Sequence, residues 1–125
     1  MSEHRKSLGK KGEDLAASYL QKSQGYRIVE RNYRCVFGEV YIIAKDHDVL
    51  SFIEVRTRKS EDFGNPKESI TKRKQDQLSK VALEFINKHN VHHMRARFDV
   101  IAVYLLPDKE QMELIKDAYE LTNHK

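Results

Sequence analysis

The spacing of hydrophobic and polar positions changes several times along the chain, and each change predicts a new element. Residues 10–23 carry apolar side chains at helical spacing, namely Leu15, Ala16, Tyr19 and Leu20, and Gly25 follows as a stop signal. This pattern predicts an amphipathic helix. Residues 26–34 then alternate between apolar and polar side chains, which predicts a first strand.

The stretch 38–57 has the clearest strand pattern. Val40 to Ala44 and Leu50 to Val55 are rich in β-branched and aromatic residues, and Asp46-His47-Asp48 between them has the composition of a turn. The pattern predicts an antiparallel hairpin that supplies the second and third strands of a sheet.

The second half of the chain returns to a helix and then to strands. Residues 58–70 contain Gly64-Asn65-Pro66 and few apolar side chains, which predicts an exposed loop. Apolar positions at helical spacing predict a second amphipathic helix over 71–88. The apolar run 98–105 predicts a strand buried on both faces, and 112–115 predicts a short last strand before an irregular tail. The order predicts an α/β fold with a mixed central sheet flanked by two main helices.

Composition narrows the class of protein. The 125 residues suffice for one domain, 1–125, but not for two. Apolar residues make up 39% and charged residues 34%, which is typical of a folded protein with a heavily charged surface. No run approaches the roughly 20 apolar residues of a membrane span, and the N-terminus lacks the apolar core of a secretory signal. We therefore expect a cytoplasmic protein. The lone Cys35 excludes an internal disulfide and a cysteine-based zinc cage.

Charged side chains occupy one face of the predicted hairpin where a simple core would have apolar ones. Side chains two apart on a strand share a face, so Glu39 accompanies Tyr41 on one strand and Glu54 accompanies Arg56 on the other. The opposite face is predicted to hold Val40, Ile42, Ala44, Ile53 and Val55. Carboxylates and a cation on neighbouring strands are what a phosphodiesterase with a hard metal ion needs. A partly buried ion-pair cluster is the alternative, and spacing alone does not decide between the two.

A further carboxylate is available from the first predicted helix. Glu13 lies in its first turn, where it either joins the hairpin cluster or is simply favoured by the helix dipole.

Basic residues are concentrated in and just after the hairpin of a chain whose net charge is +4. The first turn of the second predicted helix is basic, although cations at a helix N-terminus oppose the macrodipole by roughly 0.3 to 1 kcal/mol each. A bound phosphate would reverse that penalty. We therefore expect binding of DNA through Arg56, Arg58, Lys59, Lys72, Arg73 and Lys74. A solvated, lysine-rich surface is the alternative. Zinc binding by His89, His92 and His93 is a weaker hypothesis, because no Cys or carboxylate partner stands at ligand spacing.

Short motifs spread over nearly the whole chain resemble the YraN-like family. They are Gly12-Glu13-Asp14-Leu15-Ala16, Tyr26 followed by Arg31-Asn32-Tyr33, Gly38-Glu39-Val40, Phe52-Ile53-Glu54-Val55-Arg56, Lys74, Arg97-Phe98-Asp99-Val100 and Ile115-Lys116-Asp117-Ala118-Tyr119. The resemblance implies the fold of the restriction-endonuclease and Holliday-junction-resolvase superfamily, with its PD-(D/E)xK site. It also implies a nucleic-acid substrate, an Mg²⁺ or Mn²⁺ ion, and a catalytic pocket lined by Glu13, Glu39, Glu54 and Arg56, whose three carboxylates would be the metal ligands.

The chain departs from the family pattern at the expected central metal ligand. Where the family usually reads Gly-Glu-Ile-Asp-Leu-Ile, this chain has Tyr41 in place of the aspartate, and a neutral phenol is a poor magnesium ligand. Arg56 stands for the superfamily lysine; it can hold a phosphate but cannot act as a base. The sequence therefore favours a nucleic-acid-binding domain impaired in catalysis. The alternative is an active metal-dependent endonuclease or resolvase on branched or damaged DNA, in which Glu13 and Glu39 compensate. Related resolvases act as dimers, so a homodimer is a further expectation.

Overall fold

Five strands form one sheet, and a helix covers each of its faces. The computed structural model describes residues 3–60 and 64–121, with side chains from residue 8 onward. In chain order the elements are α1 (Glu3–Lys22), β1 (Arg27–Cys35), β2 (Gly38–Asp46), β3 (Val49–Arg58), a 3₁₀ turn (Pro66–Ser69), α2 (Lys72–His89), β4 (Arg95–Leu105) and β5 (Glu110–Tyr119). This arrangement confirms the predicted α/β fold with a mixed sheet and two main helices, and it is consistent with a restriction-endonuclease-like fold.

The strands lie in chain order across the sheet, and only one neighbouring pair is parallel. β3 and β4 run parallel, with α2 as the crossover between them, while the other three pairs are antiparallel. A parallel connection needs such a crossover because a tight turn can join only antiparallel strands. β3 therefore lies in the middle of the sheet with a helix over each face.

Two apolar cores lie between the sheet and the two helices and join them. On one face, Phe52 and Phe98 pack against α2 through Phe85 and Leu78. On the other face, the adjacent strand residues pack against α1 through Ala16, Ala17 and Leu20. β3 thus alternates between the two cores, Phe52 towards α2 and Ile53 towards α1, as the period of two requires. Neither described helix is long and apolar enough to cross a membrane.

A buried polar network fixes the end of β5. Asp99 is fully buried, and its carboxylate accepts hydrogen bonds from the Tyr26 hydroxyl (2.9 Å), the Ser51 hydroxyl (2.6 Å) and Arg97 Nε (2.8 Å). It also accepts one from the backbone N–H of Asp117 (2.9 Å), where a left-handed residue (φ 55°) interrupts the ladder. Beyond this bulge the chain rejoins β4.

The boundaries of the elements differ from the predicted ones in segments that have no periodic hydrophobic pattern. α1 begins at Glu3 rather than at residue 10. The sequence did not predict this first part of the helix, because residues 3–9 are mostly polar and show no apolar period. β5 extends over ten residues instead of the predicted four. The apolar pattern did not reveal its full length, because an edge strand can pair fully while most of its side chains stay in solvent. The predicted loop 58–70 contains a 3₁₀ turn with Pro66 buried, and Ile70 is buried beside it. Residues 61–63 of that loop lie outside the described part of the chain.

Candidate functional site

The pairing of β2 with β3 ends where the polar cluster begins. Pairs run from Asp46 with Val49 to Ile42 with Ile53. One further step of the same register would set Tyr41 opposite Glu54, but the two strands no longer pair there. On its other side β3 continues to pair with β4 as far as Arg58. The charged residues of the hairpin therefore lie where the sheet opens between β2 and β3.

One expectation from the strand period is wrong, and it fails beside an irregular residue of β1. Val40 was predicted to share a face with Ile42, but it packs with Tyr33 on the α2 side, whereas Ile42 packs on the α1 side. Asn32, which stands opposite Tyr41 between these pairs, has a left-handed backbone (φ 55°). Asparagine tolerates this conformation better than most residues. The strict alternation of β2 is therefore lost at Tyr41, next to the opening of the sheet.

Glu54 is the buried carboxylate of the site. Its side chain is 1% exposed, and two cations approach it, with Arg56 Nη1 at 3.8 Å from Oε1 and Lys74 Nζ at 3.6 Å from Oε2. Among the described residues, Oε2 has no hydrogen-bond partner. Burial raises the pKa of Glu54, and Arg56 and Lys74 only partly offset this effect. The shared face of Glu54 and Arg56 is confirmed.

Glu13 reaches the site because α1 packs very closely on β3. A Cβ at Gly12 would lie only 1.9 Å from Thr57 Oγ1, so only glycine allows this approach. Glu13 is partly buried, and burial raises its pKa; Arg31 opposes this effect, and the Glu39 carboxylate adds to it. Asp14, next along α1, forms an ion pair with Arg31 at 2.7 Å. The Gly12-Glu13-Asp14 motif therefore fixes the helix to β1 and β3.

Tyr41 lies among the carboxylates that were predicted as metal ligands. Burial raises the pKa of its phenol most, followed by Glu54, Glu13 and Glu39, while Arg56 lowers it. The structure thus brings these four charged residues into the surroundings of Tyr41. Glu39 also has a partner outside this group, because its carboxylate accepts a hydrogen bond from Arg34 Nε at 2.8 Å.

The donor set does not fit a hard metal ion in this arrangement. Magnesium requires several oxygen ligands in octahedral geometry. Within the described residues, no group of three or more His, Cys, Asp or Glu side chains converges to hold a metal ion. Glu54 instead faces two cations, and Glu39 is paired with Arg34. The role of Glu13, Glu39 and Glu54 as ligands stays a prediction.

The basic residues predicted to bind nucleic acid have different neighbours. Arg56 Nε donates a hydrogen bond to the Ser69 hydroxyl at 3.1 Å. Lys72 forms an ion pair with Asp76 at 3.2 Å on the exposed side of α2, and Arg73 is exposed beside it. Lys74 forms an ion pair with Glu54 instead, while Arg58 is the last residue of β3 and Lys59 follows it. Lys72, Arg73 and Lys74 follow the N-cap Thr71, whose hydroxyl accepts from Lys74 N.

Two residues near the site were not predicted as site residues. Ser69 orients Arg56 from the 3₁₀ turn. Tyr119 stacks on Phe98 with ring centroids 4.9 Å apart, and its buried hydroxyl has no hydrogen-bond partner among the described residues. Burial raises the pKa of Tyr119, with Glu54 as the next cause, so the two side chains share one polar environment. The sequence held one signal for the position of Tyr119, namely the charged Asp99 inside the apolar run 98–105. Asp99 accepts a hydrogen bond from the backbone of Asp117 and so fixes the bulge that positions Tyr119.

The histidines have local partners. The His89 ring packs against Phe85 with centroids 4.2 Å apart, and His92 Nε2 lies 2.6 Å from Asn87 Oδ1. The side chains of His89, His92 and His93 are all exposed, and zinc binding by them stays a prediction.

Comparison with known proteins assigns the chain to a family. A family model described as "Uncharacterised protein family UPF0102" matches residues 12–103. The chain belongs to the UPF0102 family. This result confirms the resemblance drawn from the motifs, since YraN-like proteins form this family.

Relatives in the UPF0102 family match nearly end to end. A UPF0102 protein of Syntrophus aciditrophicus is 48% identical over 90% of this chain and 88% of its own length. One of Geobacter sulfurreducens is 47% identical over 96% and 94%, and one of Trichlorobacter lovleyi is 50% identical over 92% and 91%. A solved structure titled "Crystal structure of SSO0001" is 18% identical with a TM-score of 0.36; it matches 90% of this chain, which spans about half (52%) of that one.

Proposed function

We propose that this UPF0102 domain binds nucleic acid through the basic surface around Glu54, and that Tyr41 impairs metal-dependent cleavage there. The observation that carries the proposal is the pairing of one buried carboxylate with two cations, Arg56 and Lys74, beside a phenol. Two positive groups against one carboxylate favour a phosphate over a hard cation. Hydrolysis through a metal ion would need further oxygen ligands around Glu54.

The start of α2 supports the same surface. Lys72 and Arg73 are exposed in a first turn that has no acidic residue. Backbone N–H groups and the helix dipole favour an anion at this end, and the basic side chains would then have a partner instead of opposing the dipole. Phosphate groups of a nucleic-acid backbone meet these requirements, so we expect binding with little sequence preference.

A metal-dependent nuclease acting on branched or damaged DNA is the second candidate. One observation favours it: the nearest cation to the buried Oε2 of Glu54 is Lys74 Nζ at 3.6 Å, and no described residue donates a closer hydrogen bond to this oxygen. Buried polar atoms are normally hydrogen-bonded, so this oxygen could accept a closer partner. Glu13 and Glu39 would have to approach Glu54 for this function, and Glu39 would have to leave Arg34.

Salt-dependent DNA binding tests the proposal. Fluorescence anisotropy of a labelled duplex at salt concentrations from about 50 to about 200 mM should show steep weakening for the wild type, because phosphate contacts release counterions. The triple substitution Lys72→Ala, Arg73→Ala, Lys74→Ala should reduce the log–log slope by about 0.9 for each phosphate that is no longer neutralised. A matched control removes two lysines and one arginine from α1, β1 and β2, namely Lys22→Ala, Arg27→Ala and Lys45→Ala, and should keep the slope.

Two results would contradict the proposal. A flat isotherm, or an equal reduction of the slope in the triple variant and its control, means that the surface around Glu54 does not bind the DNA backbone. Because Lys74→Ala also removes a partner from Glu54, circular dichroism melts of each variant establish that the fold is intact at the assay temperature.

A further inference from the structure

The two tight turns of the sheet have opposite chemistry. Each loop has two residues between facing strand residues, Cys35 with Gly38 in one and Asp46 with Val49 in the other. The β2–β3 loop is His47-Asp48, which is polar and exposed, as is usual for such turns. The β1–β2 loop is Val36-Phe37, in which Val36 is 90% and Phe37 44% exposed. Breaks of a local rule such as this one tend to fall at functional sites.

The apolar turn lies next to α2. Gly38 has φ +143°, a conformation that favours glycine, and the Gln77 amide lies against it, since a Cβ on Gly38 would come within 2.6 Å of Gln77 Nε2. Phe37 contributes to two grooves that share it and Lys80. One groove, of about 610 Å³, is also lined by Val36, Arg73 and Gln77. The other, of about 530 Å³, continues along α2 past Leu83 to Lys88. The ring of Phe37 therefore lies where the two grooves meet.

The charge around the turn is that of a surface for an anionic partner. Arg73, Lys80 and Lys88 line the grooves along one face of α2. Of the acidic residues on this face, Asp76 is offset by its ion pair with Lys72 at 3.2 Å, while Glu84 keeps its charge and accepts a hydrogen bond from the Tyr33 hydroxyl, so the three cations still outnumber it. A second copy of the chain docked by two-fold symmetry would bring these cations near one another, which like-charge repulsion opposes.

We propose that Val36-Phe37 is a stacking platform for unpaired bases, and that the cations of the adjoining grooves hold the strand that carries them. This inference rests on the proposed nucleic-acid binding and names its substrate class, single-stranded or branched nucleic acid. An aromatic ring set in a basic groove accepts any base through its π-face. An apolar pair at the tip of a tight turn can also separate stacked bases at a junction. Arg73 joins this platform to the surface around Glu54, because it is adjacent to Lys74.

Phe37→Ala tests the platform directly. The probes are a single-stranded oligonucleotide with one 2-aminopurine, its fully paired duplex, and a fork with two unpaired arms. Loss of the ring should weaken binding of the single strand and the fork about tenfold, while duplex binding, which depends on phosphate contacts, should change less than about twofold. Stacking should quench 2-aminopurine fluorescence in the wild type, and Phe37→Ala should abolish the quenching. Phe37→Tyr keeps the ring and should behave as wild type.

The possible results separate this inference from the proposed function. Duplex binding that is salt-dependent, together with single-strand binding unchanged in Phe37→Ala, overturns the platform and leaves the proposed function standing. An equal weakening on duplex and single strand also overturns the platform. Absence of wild-type binding to every probe overturns both. A wild-type dimer in sedimentation that Phe37→Ala converts to monomer overturns the platform and assigns the turn to self-association instead. Because Phe37 is half exposed on a loop, thermal melts should show a folded variant.

Discussion

A Cβ at Gly12 would lie 1.9 Å from Thr57 Oγ1 and 3.0 Å from Thr57 Cβ, so α1 rests on β3 with no room for a side chain. Gly12→Ala should therefore destabilise the fold by about 1 to 3 kcal/mol, as overpacking does, although alanine is the better helix former. Urea unfolding measures the free energy. Adding Thr57→Ala should restore part of the stability, because both contacting branches of the side chain are then removed.

Gly9 provides the matched control for this prediction. It lies on the same helix, and a Cβ there would meet no atom within 4 Å. Gly9→Ala should leave the stability unchanged or raise it by up to about 1 kcal/mol through helix propensity. Equal effects of the two substitutions would mean that the approach of α1 to β3 does not depend on Gly12.

Asp46 should dominate the behaviour of the fold in acid. Arg97 Nη2 donates to its carboxylate at 2.8 Å and Lys116 Nζ at 3.2 Å, and these bonds hold the pKa of Asp46 below its ordinary value of 3.8. A lowered pKa contributes stability that is present above the unfolded-state value and is lost as the pH falls through the folded-state value. Asp46→Asn should cost about 1 to 3 kcal/mol at pH 7. Its unfolding free energy should also fall less steeply than that of the wild type below about pH 4; parallel acid limbs would contradict this account.

Glu54 should have the opposite pH dependence. Burial raises its pKa above the ordinary value of 4.5, so the folded state holds the proton more tightly than the unfolded chain. The stability it contributes is present below pH 4.5 and is lost as the pH rises through the raised pKa. Glu54→Gln should remove this part of the pH profile and be at least as stable as the wild type at pH 7. Strong destabilisation by glutamine would mean that the ion pairs with Arg56 and Lys74 outweigh the burial of the charge.

Periodicity predicted the parts of the site that lie on regular elements. The period of two set Glu54 beside Arg56, and the structure confirms this relation at 3.8 Å. The apolar stripe of α2 was equally clear, because Leu78, Val81, Ala82 and Phe85 all pack into one core. The family resemblance was also confirmed, although the description of the matched family names no function.

The features that the sequence did not predict lie at irregular parts of the backbone. Ser69 reaches Arg56 from a 3₁₀ turn in a segment with no hydrophobic pattern. Val40 changed face next to a left-handed Asn32, which no period reveals. Tyr119 lies near Glu54 because Asp99 holds a bulge at Asp117, a contact between distant residues. Each of these features depends on tertiary contacts that are specified only once the sheet has formed.

We propose that Tyr41 stands where a metal-dependent nuclease needs a carboxylate, and the substitution Tyr41→Asp is the sharpest test of this proposal. Calorimetric titration with Mg²⁺ and Mn²⁺ should show no saturable binding to the wild type. Tyr41→Asp should bind the metal, because it adds a carboxylate next to Glu54, Glu13 and Glu39. The metal should also raise the melting temperature of this variant, since a ligand that binds the folded state stabilises it.

Two matched variants make this titration decisive. Tyr41→Asn has the size of the aspartate without its charge and should not bind, and Glu54→Ala in the Tyr41→Asp background should abolish binding. We expect that, of these proteins, only the single variant Tyr41→Asp binds the metal. Tight binding to the wild type that Glu54→Ala abolishes would contradict it and make the nuclease the leading function, and absence of binding in every variant would mean that the cluster around Glu54 is structural.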